Sequence, residues 1–497
     1  MMNHSKFLRI IAVFCMLPIM LLGFACDAKH TDDAQVVTEP VPTAVVVIQQ
    51  HPTPTPSPTW IGSPQLKYVF LFIGDGMGPN QVQGVNEALL AQRLPPLSFT
   101  KFPVIGEAIT NNVDGEITDS AASATAIATG HKTENGCLGQ SAAGKEYVTI
   151  AETLRDVGQK IGILTTVSLD HATPAGFYAH ESSRSKYQDI IDDLMISEFD
   201  YFAGGGFHGA ADHTLQAEAA SYSIAIGEAD ADAVPAENKL ILIGETLTGD
   251  KGLPLAADQV QDRAGQLARN VARGIERLVG DDGFFLMTEG GRIDLACHYH
   301  DAGDLYAEML DFDEAVNRAI EFYEAHPNET LIVVTADHET GALSLSDGDR
   351  AQLSLQTLSC DRFDEINVSL FRELNTAFTD ALPEILAAFG LPEPTADELA
   401  YLRTAYEHTI LDDLSAAKVK KQYGVYSPIA CAAAKLVSTH AGLIFGSGGH
   451  SSINVPVYAL GVGQDAFAGT YENTEIHDKL LSLYETYGDQ SIAINLG

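Results

Sequence analysis

Five short apolar runs stand out along the chain, at 68–73, 161–167, 284–287, 331–335 and 455–462. In each the hydrophobic positions are continuous rather than alternating, which is the pattern of strands buried on both faces. Stretches with apolar residues at helical spacing separate them, and no repeat of fixed period interrupts the series. The pattern predicts a large α/β fold beginning near Leu66, with a mostly parallel central sheet and helices on both faces. From about 346 to 441 the chain is rich in Leu, Ala and Glu at helical periodicity, as in 380–389 (DALPEILAAF), which is more chain than one α/β unit requires. An inserted helical subdomain is expected there, within a body spanning 66–497.

The first 26 residues follow another rule. Lys6 and Arg9 precede an apolar run from Ile10 to Gly23, the length of a signal-peptide core and short for a membrane span. Small residues before Cys26 resemble a bacterial lipoprotein signal, in which Cys26 is lipidated; Gly23 and Ala25 equally suit ordinary signal cleavage. Either outcome, or retention as an N-terminal anchor helix, puts the body outside the cytoplasm, at a cell surface or in a periplasm. Residues 27–65, ending in repeated proline, are expected to form a disordered Pro/Thr-rich tether.

Composition narrows the function. With 45% hydrophobic and 19% charged residues in 497 positions, the chain has material for a large core, and disorder throughout is excluded. Lys and Arg total 29 against 67 Asp and Glu, a net charge of −38. Such a surface repels phosphate backbones and anionic lipid heads, so no nucleic-acid partner is expected and a membrane is met only through the N-terminal lipid. An anionic substrate would need local positive charge, most simply from metal ions. The body carries four cysteines, Cys137, Cys297, Cys360 and Cys431, too few for a disulfide scaffold; pairing of Cys360 with Cys431 stays open.

Chemistry-bearing residues follow the apolar runs. Asp75 follows the first, Asp170, His171 and Thr173 the second, Glu289 and Asp294 the third, and Asp337 and His338 the fourth. Open α/β sheets bind ligands outside the carboxyl ends of their strands. A single acid in such a place is usually a turn former or helix cap, whereas several converging on one rim would repel without cations between them. Asp294 and His298, four apart, share a helix face and suit zinc, although an ion pair fits the same spacing. His450 sits in the glycine-rich 446–450, where backbone can approach a site closely. The alanine-rich stretch from Thr118 should be a helix capped by Thr118 or Asp119, placing Ser120 in its first turn, where free N–H groups favour an anion. Ser120 is either a helix-start residue or a nucleophile, and with no Ser-His-Asp signature a nucleophile would need a metal to lower its pKa.

Taken in order, 72–78 (FIGDGMG), 118–122 (TDSAA), 172–174 (ATP) with Arg184, 289–294 (EGGRID) with His298, 335–338 (TADH) and 449–450 (GH) resemble the alkaline phosphatase family from about Leu66 to the C-terminus. The resemblance implies an exported phosphomonoesterase acting through a phosphoserine at Ser120, with Arg184 gripping two phosphate oxygens. It implies two zinc ions and a third cation, usually magnesium. Asp294, His298 and His450 would hold the first zinc, which activates water and takes up the leaving oxygen. Asp75, Asp337 and His338 would hold the second, which binds the Ser120 alkoxide. Asp75, Thr173 and Glu289 would hold the third ion. It further implies a homodimer, and gives the insertion a place near dimer interface and site mouth. Departures from the most familiar bacterial pattern are His171 for Asp, Leu295 for Lys, Thr340 for a histidine that supports the zincs in some members, and Ser451 for Thr; His171 leaves the third ion's identity open. Of His180, His298 and His300, only His298 is expected to ligate. The alternatives are a phosphodiesterase or sulfatase on the same scaffold, or a non-catalytic surface-tethered protein that binds phosphate or metal.

Overall fold

A computed structural model describes residues 64–209, 213–258, 260 and 263–488. The signal segment and nearly all of the tether lie outside the described residues. The main sheet contains β1 (Tyr68–Gly74), β2 (Val104–Ile109), β3 (Lys160–Thr165), β4 (Tyr201–Gly204), β5 (Tyr222–Ile226), β6 (Lys239–Ile243), β7 (Phe284–Gly290) and β8 (Thr330–Thr335). Four two-residue strands follow, β9 (Glu339–Thr340), β10 (Ser344–Leu345), β11 (Leu443–Ile444) and β12 (His450–Ser451); β13 (Val455–Gly461) and β14 (Gly469–Glu472) complete the main sheet.

The ten strands run in the order β14-β2-β13-β8-β1-β7-β3-β4-β6-β5. Every pairing is parallel except those of β13, which lies antiparallel between β2 and β8. All residues of β1, β7 and β8 are buried, so helices and loops cover both faces at the centre of the sheet. The five apolar runs all become strands. The third extends beyond its apolar part to Gly290, which brings Glu289 into the strand itself. The shorter β4, β5, β6 and β14 and the alternating β2, whose burial reads in-out-in-out, have no counterpart among the five runs.

Between Asp347 and Ala441 the described chain is helical or looped, with helices at Phe378–Ala388, Ala396–Leu411 and Pro428–Ala441 the longest. Phe363, Phe389, Leu402 and Ile429 from this segment join the same hydrophobic core as the sheet. Helix Pro428–Ala441 also fixes one edge of the site, since Ser438 Oγ donates to the His300 carbonyl at 3.2 Å and the chain runs on through β11 to His450. Cys360 and Cys431 are both buried free thiols, as are Cys137 and Cys297.

Candidate metal centre and nucleophile

β1 delivers Asp75 to the rim and turns at once. Gly76 takes φ +73°, and a Cβ there would lie 2.9 Å from both Asp294 Oδ1 and Thr340 Oγ1, so only glycine lets the strand end pass so close. Its N–H donates to Asp337 Oδ1 at 3.2 Å, joining the ends of β1 and β8. From the turn after β3, Thr173 Oγ1 donates to Asp75 Oδ2 at 3.2 Å. Glu289, the next-to-last residue of β7, accepts from Thr165 Oγ1 at the end of β3. Helix Arg292–His298 then presents Asp294 and His298 on one face, with His298 Nε2 3.1 Å from Asp294 Oδ2.

These groups converge with His338 and His450. The two imidazoles stack at 3.6 Å between centroids, and His450 Nε2 lies 3.3 Å from His298 Nε2. His338 Nε2 is 3.4 Å from Asp75 Oδ1 and 3.3 Å from Asp337 Oδ2. Three sets of side chains bring ligand atoms within 4.8 Å of one another: Asp294, His338 and His450; Asp75, Asp337 and His338; and Asp75, His171 and Glu289. The first set meets His298 through the two contacts just given, so all eight expected metal-binding residues meet at one rim. The structure adds His171, which sequence reasoning set beside the third ion without counting it a ligand. Asp170 turns away to accept the N–H groups of His208 and Gly209, which leaves its neighbour to face the site. His180 and His300 lie outside the three sets: the first pairs with Glu152 at 3.4 Å, and the second stacks on Phe445 and faces the Ser447 carbonyl.

The electrostatics show what the rim lacks. Asp75, Glu289, Asp337 and His338 are fully buried, and Asp75 Oδ1, Glu289 Oε1, Asp337 Oδ2 and His171 Nδ1 have no hydrogen-bond partner. Burial, then the charges of Asp337, Asp294 and Glu289, pushes Asp75 well above the usual carboxylate range. Burial and Asp294 push Asp337 up to about 8, and burial raises Glu289 to about 7. Burial also acts against ionised Asp294, but its hydrogen bond with His298 and the nearby imidazoles outweigh this and hold its carboxyl low. Burial and the Arg184 charge lower His171 to about 3, leaving a neutral imidazole with a free lone pair. Neutral imidazoles and orphaned carboxylate oxygens facing one another are the donor set a divalent cation requires, so the residues fit metal ions.

The nucleophile candidate stands against this set. Helix α1 (Pro79–Ala91) follows the first strand end, and α2 (Ser120–Thr129) begins at Ser120. Asp119 caps α2 by accepting the Ala122 N–H at 3.0 Å, and Ser123 Oγ ties the helix to the Asp337 carbonyl at 2.6 Å. Ser120 Oγ is thereby held 3.2 Å from His338 Nε2, with the helix's free N–H groups beside it. Arg184 reaches the same corner, its Nη1 on Asp119 Oδ2 at 3.1 Å and its Nη2 3.2 Å from His171 Nε2. Asp119 therefore orients the guanidinium as well as capping the helix; its place beside Ser120 announces only the cap.

Comparison with known proteins agrees with this geometry. The sequence model described as alkaline phosphatase matches residues 66–202 and 228–486. Alkaline phosphatase 3 of Bacillus subtilis (strain 168) is 31% identical over 431 residues, covering 83% of this chain and 87% of that protein. Alkaline phosphatase 4 of the same organism is 28% identical, covering 85% and 89%. Among solved structures, a cold-active alkaline phosphatase from a psychrophilic Shewanella superposes with a TM-score of 0.73 at 27% identity, covering 84% of this chain and 99% of that one. The chain belongs to the alkaline phosphatase family, and like the rest of that family it is a metal-dependent hydrolase.

Proposed function

We propose that the protein hydrolyses phosphate monoesters through a phosphoserine at Ser120 and releases inorganic phosphate. The observation that carries this reading is the placement of Ser120 Oγ at the N-terminus of a ten-residue helix, 3.2 Å from His338 Nε2 and beside Arg184. Asp294, His298 and His450 would hold one zinc, and Asp75, Asp337 and His338 a second. Asp75, Thr173 and Glu289 would hold a third ion, usually magnesium in this family, with His171 as a further donor. When bound, the cations supply positive charge that lowers the pKa of the Ser120 hydroxyl and stabilises the entering and leaving oxygens.

The chain's own residues do the rest. Ser120 Oγ attacks phosphorus in line with the ester oxygen; the new O–P bond forms as the ester P–O bond breaks and the alcohol leaves. The α2 N–H groups and the planar Arg184 fork bind the non-bridging oxygens, whose charge spreads in the transition state. Arg184 is pre-aimed by Asp119, so little side-chain freedom is lost when phosphate arrives. Water then cleaves the phosphoserine by the reverse geometry and restores the hydroxyl. Two parallel guanidinium hydrogen bonds suit a terminal phosphate with free oxygens, which favours a monoester over a diester.

The signal-like segment supports export, with Cys26 as the lipidated residue and 27–65 as the tether that holds the body off a membrane. Pairing of two copies in solution completes the reading. The test compares hydrolysis of a chromogenic phosphate monoester and diester before and after chelation. Monoester cleavage should dominate, vanish with the chelator and return with zinc plus magnesium; dominant diester cleavage would overturn the reading.

A further inference from the structure

One buried carboxylate lies within the rim but outside all three ligand sets. Glu339 is 1% exposed and follows His338 directly, yet its side chain points to the opposite face of β9, away from the stacked imidazoles. Its Oε1 accepts Gln81 Nε2 at 2.8 Å and the Leu343 N–H at 2.9 Å, and its Oε2 accepts the Ser451 hydroxyl. Gln81, fully buried on α1, uses the same amide nitrogen to donate to the Thr340 carbonyl at 2.7 Å. Room for this carboxylate is built into the first motif: a Cβ on Gly78 would lie 2.2 Å from Glu339 Cγ.

The partners explain the arrangement. β9 and β12 are two residues each, antiparallel, with His450 opposite Thr340 and Ser451 opposite Glu339. So short a ladder has little backbone pairing to hold its register, and a one-residue slip would turn His450 to the other face. The Glu339–Ser451 cross-strand bond is next to His450, and the Gln81 bond ties the same carboxylate to α1. On the opposite face Thr340 Oγ1 donates to Asp294 Oδ1 at 2.5 Å, so the pair also braces a second ligand. We infer that Glu339, clamped by Gln81 and Ser451, is a positioning residue that fixes His450 against Asp294 and His298 and so sets how tightly this corner of the rim holds zinc. The inference rests on the ligand assignment proposed above.

The test measures zinc content and the rate of zinc release to a chromogenic chelator for the wild type, Ser451→Ala, Ser451→Thr and Glu339→Ala, with melting temperatures for metal-free and zinc-loaded protein. Ser451→Ala and Glu339→Ala should hold zinc roughly ten- to a hundred-fold more weakly, the usual consequence of losing a residue that orients a ligand. Ser451→Thr, which keeps the hydroxyl, should restore the wild-type release rate. Metal-free Ser451→Ala should melt with the wild type while gaining less from zinc. Wild-type zinc retention in Ser451→Ala, or an equal drop in melting temperature with and without metal, would overturn the inference. If Glu339→Ala fails to fold, Ser451→Ala decides alone. A wild type that binds no zinc would instead sink the ligand assignment, and the inference with it.

Discussion

Two acidic clusters are buried among the described residues, and they are built on opposite terms. Behind the rim, Asp304, Glu308 and Asp311 surround Arg263, whose side chain is 1% exposed. Its Nη2 meets Glu308 Oε2 at 2.9 Å, its Nη1 meets Asp311 Oδ2 at 2.7 Å, and its Nε donates to the Pro254 carbonyl at 2.7 Å. Two further oxygens find neutral donors: Glu308 Oε1 takes the Ala256 N–H and Asp304 Oδ1 the Ala257 N–H. Nearby Asp301 accepts from Asp304, Gln356 and Cys360. At the rim no arginine stands between the carboxylates, and Asp75 Oδ1, Glu289 Oε1 and Asp337 Oδ2 lack a hydrogen-bond donor; in the other cluster Asp311 Oδ2, which likewise makes no hydrogen bond, has the Arg263 guanidinium at 2.7 Å. Buried acids alone therefore do not mark a metal centre. What separates the two clusters is whether the protein supplies the positive charge and the donors itself.

The contrast is tested most severely at the proposed nucleophile. Ser120→Ala removes the group the rim is arranged around while leaving every carboxylate contact in place. Monoesterase activity should fall by about three orders of magnitude or more, with zinc content and melting temperature unchanged. Residual activity near the wild type would place the nucleophile elsewhere. The mirror experiment is Arg263→Met. It leaves Glu308 and Asp311 buried without their counter-charge and should cost about 3–5 kcal/mol of stability, read by denaturant unfolding. The folded fraction should keep its zinc. Loss of metal without loss of stability would mean that the two clusters have been assigned the wrong way round.

Proton linkage sharpens the comparison further. Burial raises Asp337 to about 8 and Glu289 to about 7 at the rim, and burial likewise raises Glu308 to about 7 in the arginine cluster. Each of these acids binds a proton more tightly folded than unfolded, where its pKa is about 4. The folded state then holds more protons, and stability falls as pH rises from about 4 toward 8. Metal-free protein should accordingly melt higher at pH 5 than at pH 8. Zinc held by Asp75 and Asp337 would displace the protons there and not the one on Glu308, so the stabilisation conferred by zinc should grow with pH. Calorimetry with and without metal checks both signs. A zinc increment that is flat from pH 5 to 8 would show that Asp75 and Asp337 hold no extra protons.

Legibility from sequence followed the same physics. The central strands were readable because burial on both faces demands continuous apolar runs. The alternating β2 and the short β4, β5 and β6 were not, because half-buried or brief strands carry a weaker pattern. Nor did the sequence reveal that β13 runs antiparallel, since direction depends on the route the chain takes after the helical segment. At the site most of the expected metal-binding residues were legible as residue types following strand ends, with His450 in its glycine-rich loop, and the rim brings all of them together. The supporting residues were hidden for a common reason. His171, Glu339 and Asp119 each sit beside a residue with a more obvious role, and only side-chain direction distinguishes the two. Glu339 points away from the imidazole of His338, His171 faces the site because Asp170 is occupied elsewhere, and Asp119 serves two partners at once.

Asp119 gives the comparison its finest test, because it is an acid at the rim's edge that behaves like those around Arg263. Its oxygens accept the Ala122 N–H at 3.0 Å, the Gly136 N–H at 3.0 and 3.1 Å, and the Arg184 guanidinium at 3.1 Å. It adjoins Ser120 in sequence and in space, yet the protein itself provides every partner, so it should hold no metal. Asp119→Asn keeps an acceptor for the cap and removes the charge that aims Arg184. The pair is partly open to solvent, with side-chain exposures of 29% and 20%, and a pair of this kind is worth about 0.2–1 kcal/mol. The expected result is a rise in KM of up to about fivefold with zinc content and release unchanged. Were Asp119→Asn to lose zinc instead, an acid with all its oxygens satisfied would have proved to be a ligand, and the want of a protein counter-charge would no longer distinguish the rim from the arginine cluster.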